Sequence, residues 1–265
     1  SYPLTKWRLL RRMERAAGDP VVVFCMSKTA SSAIVRAVRD AVERPVYKVH
    51  LLRPESVARA EAVYRRTDRG ARPRHVFQAA HLLRHLPTPD QPWDVVTIVR
   101  EPIVRAASDF FQSGERLGRL GDVASTTESF ERFAEREGIP RTTDWFEREL
   151  LPTLGIDVYE HPFDVDRGYA VMETPAVRLL VLRQEGLDVA PRALTAFLGL
   201  ADDLAIDAEN VGAAKEYSDL YAAVLRDARF SEAALDLAYG SRYAAHFYSP
   251  AERLDLRRRW GAEQR

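Results

Sequence analysis

Two short stretches of this chain concentrate side chains that hold anions. The first, Ser27-Lys28-Thr29-Ala30-Ser31-Ser32, sets hydroxyls and one ammonium directly after the apolar run Val-Val-Val-Phe-Cys-Met at 21–26. An unbroken β-branched run of that length reads as a strand buried on both faces of a parallel sheet. Beyond the hydroxyls, Ile34, Val35, Val38 and Val42 recur at helical spacing with arginines and acids between them. The polar stretch is therefore a turn at a strand's carboxyl end and a helix's amino end, where unpaired N–H groups and the helix dipole favour a phosphate. A Walker A loop needs G-x-x-x-x-G-K-[ST]; the Lys28-Thr29 pair is present and neither glycine is. A tight loop around one phosphate and its substituent fits better than a wide loop around a triphosphate. A plain polar turn with a chance lysine is the competing explanation.

The second stretch, Arg100-Glu101-Pro102-Ile103-Val104-Arg105-Ala106-Ala107-Ser108, follows another apolar run at 94–99. Arg100 stands at a strand end, where its planar fork takes a phosphate bidentately. Pro102 suits the first turn of a helix. Arg105, Ser108 and Gln112 fall at i, i+3 and i+7 and are expected to share a polar face, with Val104, Ala107 and Phe111 as the apolar stripe. Two arginines and a serine at one strand–helix junction suggest a second anion site beside the first. Ordinary ion pairs on an exposed helix face would produce the same pattern.

The elements that must position these turns can be read in outline. Further strands are expected at 45–52, 75–78 and 177–182, and helices at 55–66, from 102, at 129–137 and at 144–151. Beyond Pro191 the remainder reads as helix: 192–200, 209–228, 231–247 and 249–260, with Ser231 and Ser249 as N-caps. Strands alternating with helices, then a helical tail, predict an α/β fold: a doubly wound parallel sheet with a carboxy-terminal helical cap. One domain over 1–265 is expected, with a core at about 20–185 and a tail at about 190–265.

Composition narrows the function. The 39 Lys+Arg balance 39 Asp+Glu, and a formal net charge of +0 disfavours broad binding to nucleic acid or an anionic membrane. Any basic site must be local. Among the cations 35 are arginine, and the four lysines are Lys6, Lys28, Lys48 and Lys215. A chain that uses arginine almost everywhere has a lysine in its first anion-binding turn, where a compact ammonium on a flexible stem reaches a single oxygen. The single cysteine, Cys25, allows no intramolecular disulfide and no cysteine-built metal cage. No apolar run approaches the ~20 residues of a membrane span, and arginines interrupt the amino-terminal stretch where a signal peptide would be apolar. A cytoplasmic location is the expectation.

Together the two turns resemble those of the sulfotransferases that use 3′-phosphoadenosine 5′-phosphosulfate (PAPS). Ser27-Lys28-Thr29-Ala30-Ser31-Ser32 is similar to that family's 5′-phosphosulfate loop, and Arg100, Pro102 and Ser108 have the spacing of its 3′-phosphate element. Residues 75–87 are similar to the strand-and-histidine segment that places the family's catalytic base, which would be His81. Ala79 stands where the family has a lysine before that histidine. In the tail, Asn210, Lys215-Glu216-Tyr217-Ser218 and Phe247-Tyr248-Ser249 look like segments of bacterial sulfotransferase-like proteins assigned to capsular polysaccharide synthesis.

The resemblance implies a P-loop-like sulfotransferase core and transfer of a sulfuryl group to a hydroxyl of a glycan or small-molecule acceptor. PAPS would be the co-substrate and PAP the product, with no metal. Lys28 would stabilise the leaving group and Thr29, Ser31, Ser32 and the backbone of Ser27 and Ala30 would hold the 5′-phosphate. Arg100 and Ser108, with Arg105 beside them, would take the 3′-phosphate, and His81 would accept the acceptor's proton. His50, at another strand end, is the rival base. His75 and His85 read as surface residues and His246 as a hydrogen-bonded helix histidine. Glu185 reads equally as a site carboxylate or a strand-end one, and Tyr217, Tyr221, Tyr239 and Tyr243 as core packing. An ATP-dependent P-loop-like kinase and a non-catalytic nucleotide-binding module are the alternatives.

Overall fold

The computed structural model describes residues 18–66, 73–118, 120–206 and 217–261. Four parallel strands and one antiparallel strand form a single sheet in a mixed α/β fold. They are β1 (Val21–Phe24), β2 (Val46–Val49), β3 (Trp93–Val99), β4 (Tyr169–Glu173) and β5 (Val177–Arg183), in the spatial order β2-β1-β3-β5-β4. β1 pairs in parallel with β2 and β3, and β3 with β5, while β4 runs antiparallel along β5.

The unbroken apolar strands are explained by what covers them. Val22 and Phe24 of β1, Val95 and Val99 of β3, and Leu179 and Val181 of β5 share one face. Val21, Val23, Val96, Ile98, Leu180 and Leu182 share the other, as the twofold alternation of a strand requires. On that second face lie α1 (Ser31–Ala41), through Ile34, Val35 and Val38, and α8 (Ala190–Leu198), through Ala193, Leu194 and Phe197. The first face is covered by α2 (Pro54–Arg66), by α3 (Arg74–Leu82) through Ala79 and Leu82, and by Trp145, Phe146 and Leu150.

A third cluster stands beside the sheet. There α4 (Pro102–Leu117) buries Ile103, Ala106 and Phe111 against α5 (Val123–Phe133), α6 (Ile139–Thr143) and the tail helices. The chain continues through wide π-helical turns at Ala134–Gly138 and Phe146–Leu150 to the short α7 (Leu151–Leu154), whose Leu154 packs with Phe146 and Leu150 on the first sheet face. The tail consists of α9 (Ser218–Asp227), α10 (Glu232–Tyr239), α11 (Arg242–Phe247) and α12 (Pro250–Trp260).

Three expectations are corrected. Residues 75–78 are helix, not strand: after Pro73, Val76, Ala79 and Leu82 recur at helical spacing and all are buried. The apolar stretch read as a strand is too short for its period to be told from that of a helix. Gln78 of α3 accepts the Lys48 N–H at 3.0 Å, so the helix covers an edge strand's donor. The sheet gains β4, a half-exposed edge strand with little apolar pattern. Residues 231–247 form two helices, because Ser241 caps α11 by accepting from Ala244 N, and a Cβ on Gly240 would lie 2.8 Å from Asp236 O. Ser231 and Ser249 do cap α10 and α12, the latter in a capping box with Glu252.

The topology decides where a ligand can sit. From β1 the chain goes outward to β2 and then returns to lay β3 on the other side of β1. The strand order reverses between β1 and β3, and in open sheets the crevice outside the carboxyl ends at such a point is where ligands bind. The two polar turns leave β1 and β3 at that crevice.

Candidate anion site at the strand switch point

The turn after β1 is tight and strained. Lys28 and Ala30 both have left-handed backbones, at φ +69° and +58°. Each costs a side-chain-bearing residue about 1–2 kcal/mol. Buried Thr29 between them donates its hydroxyl to Met26 O at 2.9 Å, which holds the turn closed. Ala30 is the N-cap of α1 and has no side chain able to accept, so the N-cap residue leaves the first N–H groups of the helix uncapped. Successive N–H groups around left-handed residues form the concave nests that bind anions.

Strand pairing brings cations to this turn. Val23 is level with Lys48 and Phe24 with Val49, so His50 lies alongside Cys25. Lys48 Nζ donates to Ser32 Oγ at 2.8 Å across the strand gap. The Nδ1 of His50 lies 2.8 Å from Cys25 O. A carbonyl only accepts, so Nδ1 carries the proton and Nε2 the free lone pair. Trp145 Nε1 donates to His50 O at 3.2 Å and fixes the same residue from the other side. The His75 ring stands 5.1 Å from that of His50.

Burial pushes His50 down to about 3, and the charges of His75, Lys48 and Lys28 push in the same direction against the bond to Cys25. His75 is lowered by burial and by Lys48. Lys48 is itself lowered, chiefly by burial. Burial raises the Cys25 thiol, with Thr29, Ser31 and Lys48 opposing.

The second turn is held from behind. Arg100 Nη1 donates to Lys28 O at 2.7 Å and to Ser108 Oγ at 3.0 Å, tying the two turns together. Those bonds go to a carbonyl and a hydroxyl, so no carboxylate neutralises the fork through them. The backbone of Arg100 is clasped by one phenol: Tyr243 Oη accepts from Arg100 N at 2.9 Å and donates to Arg100 O at 2.8 Å. Buried Glu101 caps α4 by accepting from Ile103 N and Val104 N, and takes the Tyr239 hydroxyl at 2.5 Å. Burial raises its carboxyl while these donors pull it down. Glu185 accepts from Glu101 N at 2.7 Å and from Tyr248 Oη at 3.2 Å.

The expected residues are thus sorted by the fold. Ser27, Lys28, Thr29, Ala30, Ser31, Ser32, Arg100, Ser108 and His50 gather at the ends of β1, β2 and β3. Arg105, one turn from Ser108, has its guanidinium committed elsewhere. It is buried, with Nε donating to Thr142 Oγ1 at 2.5 Å and Nη2 to Gly138 O at 3.1 Å. There α4 meets the wide turn so closely that a Cβ on Gly138 would lie 2.5 Å from Ala106 Cβ. His81 is buried in the last turn of α3, its ring 5.9 Å from Tyr47 and 5.0 Å from His85. Tyr47 precedes His50 by three residues, about 10 Å along a strand, so that packing is set back from the strand ends.

His85 is exposed as expected, whereas His75 faces His50. His246 Nε2 is buried without a hydrogen bond, against the expectation of a bonded helix histidine. Tyr239 and Tyr243 pack in the core, but their hydroxyls serve the second turn. Asn210, Lys215 and Glu216 lie outside the described residues.

Sequence reasoning missed Lys48, His75 and Tyr243. Lys48 carried a signal, as one of four lysines two residues before a strand-end histidine. His75 and Tyr243 come from distant segments and had none.

Residues 123–249 match the family model NKWYS, whose description is "Putative capsular polysaccharide synthesis protein". That stretch contains Tyr221, Tyr239, Tyr243, Tyr248 and Glu185; Lys28, Lys48, His50, Arg100 and Ser108 precede it. No curated protein and no solved structure matches the chain. Among the described residues no helix is long and apolar enough to cross a membrane. No group of three or more His, Cys, Asp or Glu among them has the arrangement to hold a metal ion.

Proposed function

We propose that the chain is a PAPS-dependent sulfotransferase with a P-loop-like core, acting on a hydroxyl of a glycan or a related small molecule. The observation that carries the reading is the Arg100 guanidinium joined at once to Lys28 O and Ser108 Oγ, which makes one anion-binding surface of two strand–helix turns. An uncapped helix end and two lysines suit a 5′-phosphosulfate, and a separate arginine–serine pair suits a second, 3′-phosphate group. The polysaccharide description of the matched family supports a glycan acceptor.

Bound there, the donor supplies an activated sulfuryl group whose departure leaves negative charge on the 5′-phosphate oxygen. Lys28, with Lys48 behind Ser32, meets that charge with fixed cations, which lower the barrier only if they favour the transition state over the ground state. His50 is the better-placed base. Its Nε2 lone pair is free because Cys25 O holds the Nδ1 proton, and an anion on Lys28 raises its affinity for the acceptor's proton.

Thermal shift with PAP, with adenosine 5′-phosphate and with ATP plus Mg²⁺ tests the assignment. Selective stabilisation by PAP that disappears in Arg100→Ala is the expected result. Stabilisation by ATP with Mg²⁺ alone makes the chain a kinase-like enzyme instead. PAP binding with no sulfuryl transfer to any hydroxyl acceptor makes it a binding module.

A further inference from the structure

We infer that Tyr221 is a donor-contacting residue, supplied by the tail, that completes the Arg100–Ser108 anion site and makes it prefer a phosphate monoester to a hydroxyl. The inference rests on the donor assignment above and deepens it. Arg100 Nη1 directs its two hydrogens to Lys28 O and Ser108 Oγ. Among the described residues no hydrogen bond takes the Nε or Nη2 hydrogens of the fork, which leaves them to meet a ligand. Ser108 Oγ, already an acceptor from arginine, lies 3.3 Å from Tyr221 Oη. Two hydroxyls in contact use one hydrogen between them and keep the other, whichever donates.

The end of β3, α4 and α9 therefore converge on a cluster that offers cationic N–H donors and one O–H donor. A phosphate monoester, with three acceptor oxygens and up to two negative charges, can engage all of them through charge-assisted bonds. A ribose hydroxyl has one oxygen, no charge and a hydrogen of its own to place.

The phenol is also held in position. Its ring meets Phe111 edge-on at 5.0 Å and 72°, and Tyr217 packs on the same fully buried Phe111 at 5.4 Å. A preset side chain loses little freedom on binding. Tyr221 differs here from Tyr239 and Tyr243, whose hydroxyls are committed to Glu101 and to the Arg100 backbone.

The variant Tyr221→Phe keeps the ring against Phe111 and removes only the hydroxyl. Titration calorimetry on the full chain with PAP and with adenosine 5′-phosphate reads the effect. The wild type binds PAP the more tightly; in Tyr221→Phe the affinity for PAP falls about tenfold, the order expected for one hydrogen bond to a charged group. The affinity for adenosine 5′-phosphate stays unchanged. In turnover, KM for the donor rises by the same factor with kcat constant. Ser108→Ala combined with Tyr221→Phe costs less than the product of the two single effects, because the hydroxyls act as a pair. Unchanged PAP affinity in Tyr221→Phe, with the wild type still preferring PAP, overturns the role of Tyr221 and leaves the donor assignment standing. Parallel loss of both nucleotides overturns it too, reducing Tyr221 to packing. A wild type with no preference for PAP overturns both.

Discussion

The turns after β1 and β3 solve the same local problem, a strand feeding a helix, in opposite ways. At the first, Ala30 leaves the amino end of α1 without a side-chain cap, two left-handed residues hold the backbone tight, and the surrounding side chains are cationic or neutral: Lys28, Lys48, His50 and His75. At the second, Glu101 fills the amino end of α4 with a carboxylate, Pro102 opens the helix, and Tyr239, Tyr243 and Glu185 brace the backbone. At the first helix end no capping carboxylate opposes an anion. At the second it would meet Glu101, so an anion there is met by side chains, Arg100 with Ser108 and Tyr221, and not by the helix N–H groups. The lesson is that a helix amino terminus binds an anion only where its own sequence leaves the N–H groups unclaimed.

Breaking the open turn has the largest expected effect. On the proposed sulfuryl transfer, Lys28→Ala removes a cation from the developing charge, and kcat falls about 10²–10³-fold, as when one preorganised charge stabiliser is lost, while Tm is retained. An unchanged kcat in a sulfuryl-transfer assay would take Lys28 out of the chemistry.

Breaking the braced turn costs stability instead. Tyr243→Phe leaves both the N–H and the carbonyl of Arg100 without their phenol, which costs about 1–2 kcal/mol. Chemical denaturation reads this as a lower midpoint at constant m-value. If the midpoint does not move, water replaces the phenol and the bracing is incidental.

The smallest effect contrasts the charge of the two turns. His50 ordinarily titrates at 6.5 and in the fold is pushed down to about 3. Above pH 6.5 it is neutral folded or unfolded, so it adds no slope. Between pH 6.5 and about 3 only the unfolded chain takes up the proton, so stability falls as the pH falls through that window. Tm should be level above pH 7 and decline below 6.5, and His50→Gln should make the decline shallower. His75 and His246, lowered in the same direction, leave a residual slope. Identical pH profiles for variant and wild type would mean that His50 is not held neutral.

Local patterns made much of the fold readable. Strands β1, β3 and β5 are runs of β-branched and apolar residues, legible because both faces are buried and no alternation has to be resolved. The serine caps of α10 and α12 were legible because capping is a contact between residues three apart. The segment at 75–78 was misread because its apolar stretch is too short to carry a period, and β4 was missed because an edge strand with one covered face leaves little apolar signal. At the site, Lys28, Arg100 and Ser108 stood out because the chemistry of each lies at a strand–helix junction. Arg105 fitted the same sequence pattern and was turned by packing toward Gly138 and Thr142.

By itself the sequence determined the residue types at two strand ends, the absence of glycine from the first turn, and a balanced charge that confines any basic site to a small region. Those are properties of neighbours along the chain. The tertiary structure alone decided that Lys48 and His50 lie beside the first turn, that Arg100 reaches Lys28 O, and that tyrosines from positions 221 to 248 reach back to Arg100, Glu101, Ser108 and Glu185. These pairings follow from the order of strands in the sheet and the docking of the tail. They depend on which surfaces bury one another, and no local spacing encodes that.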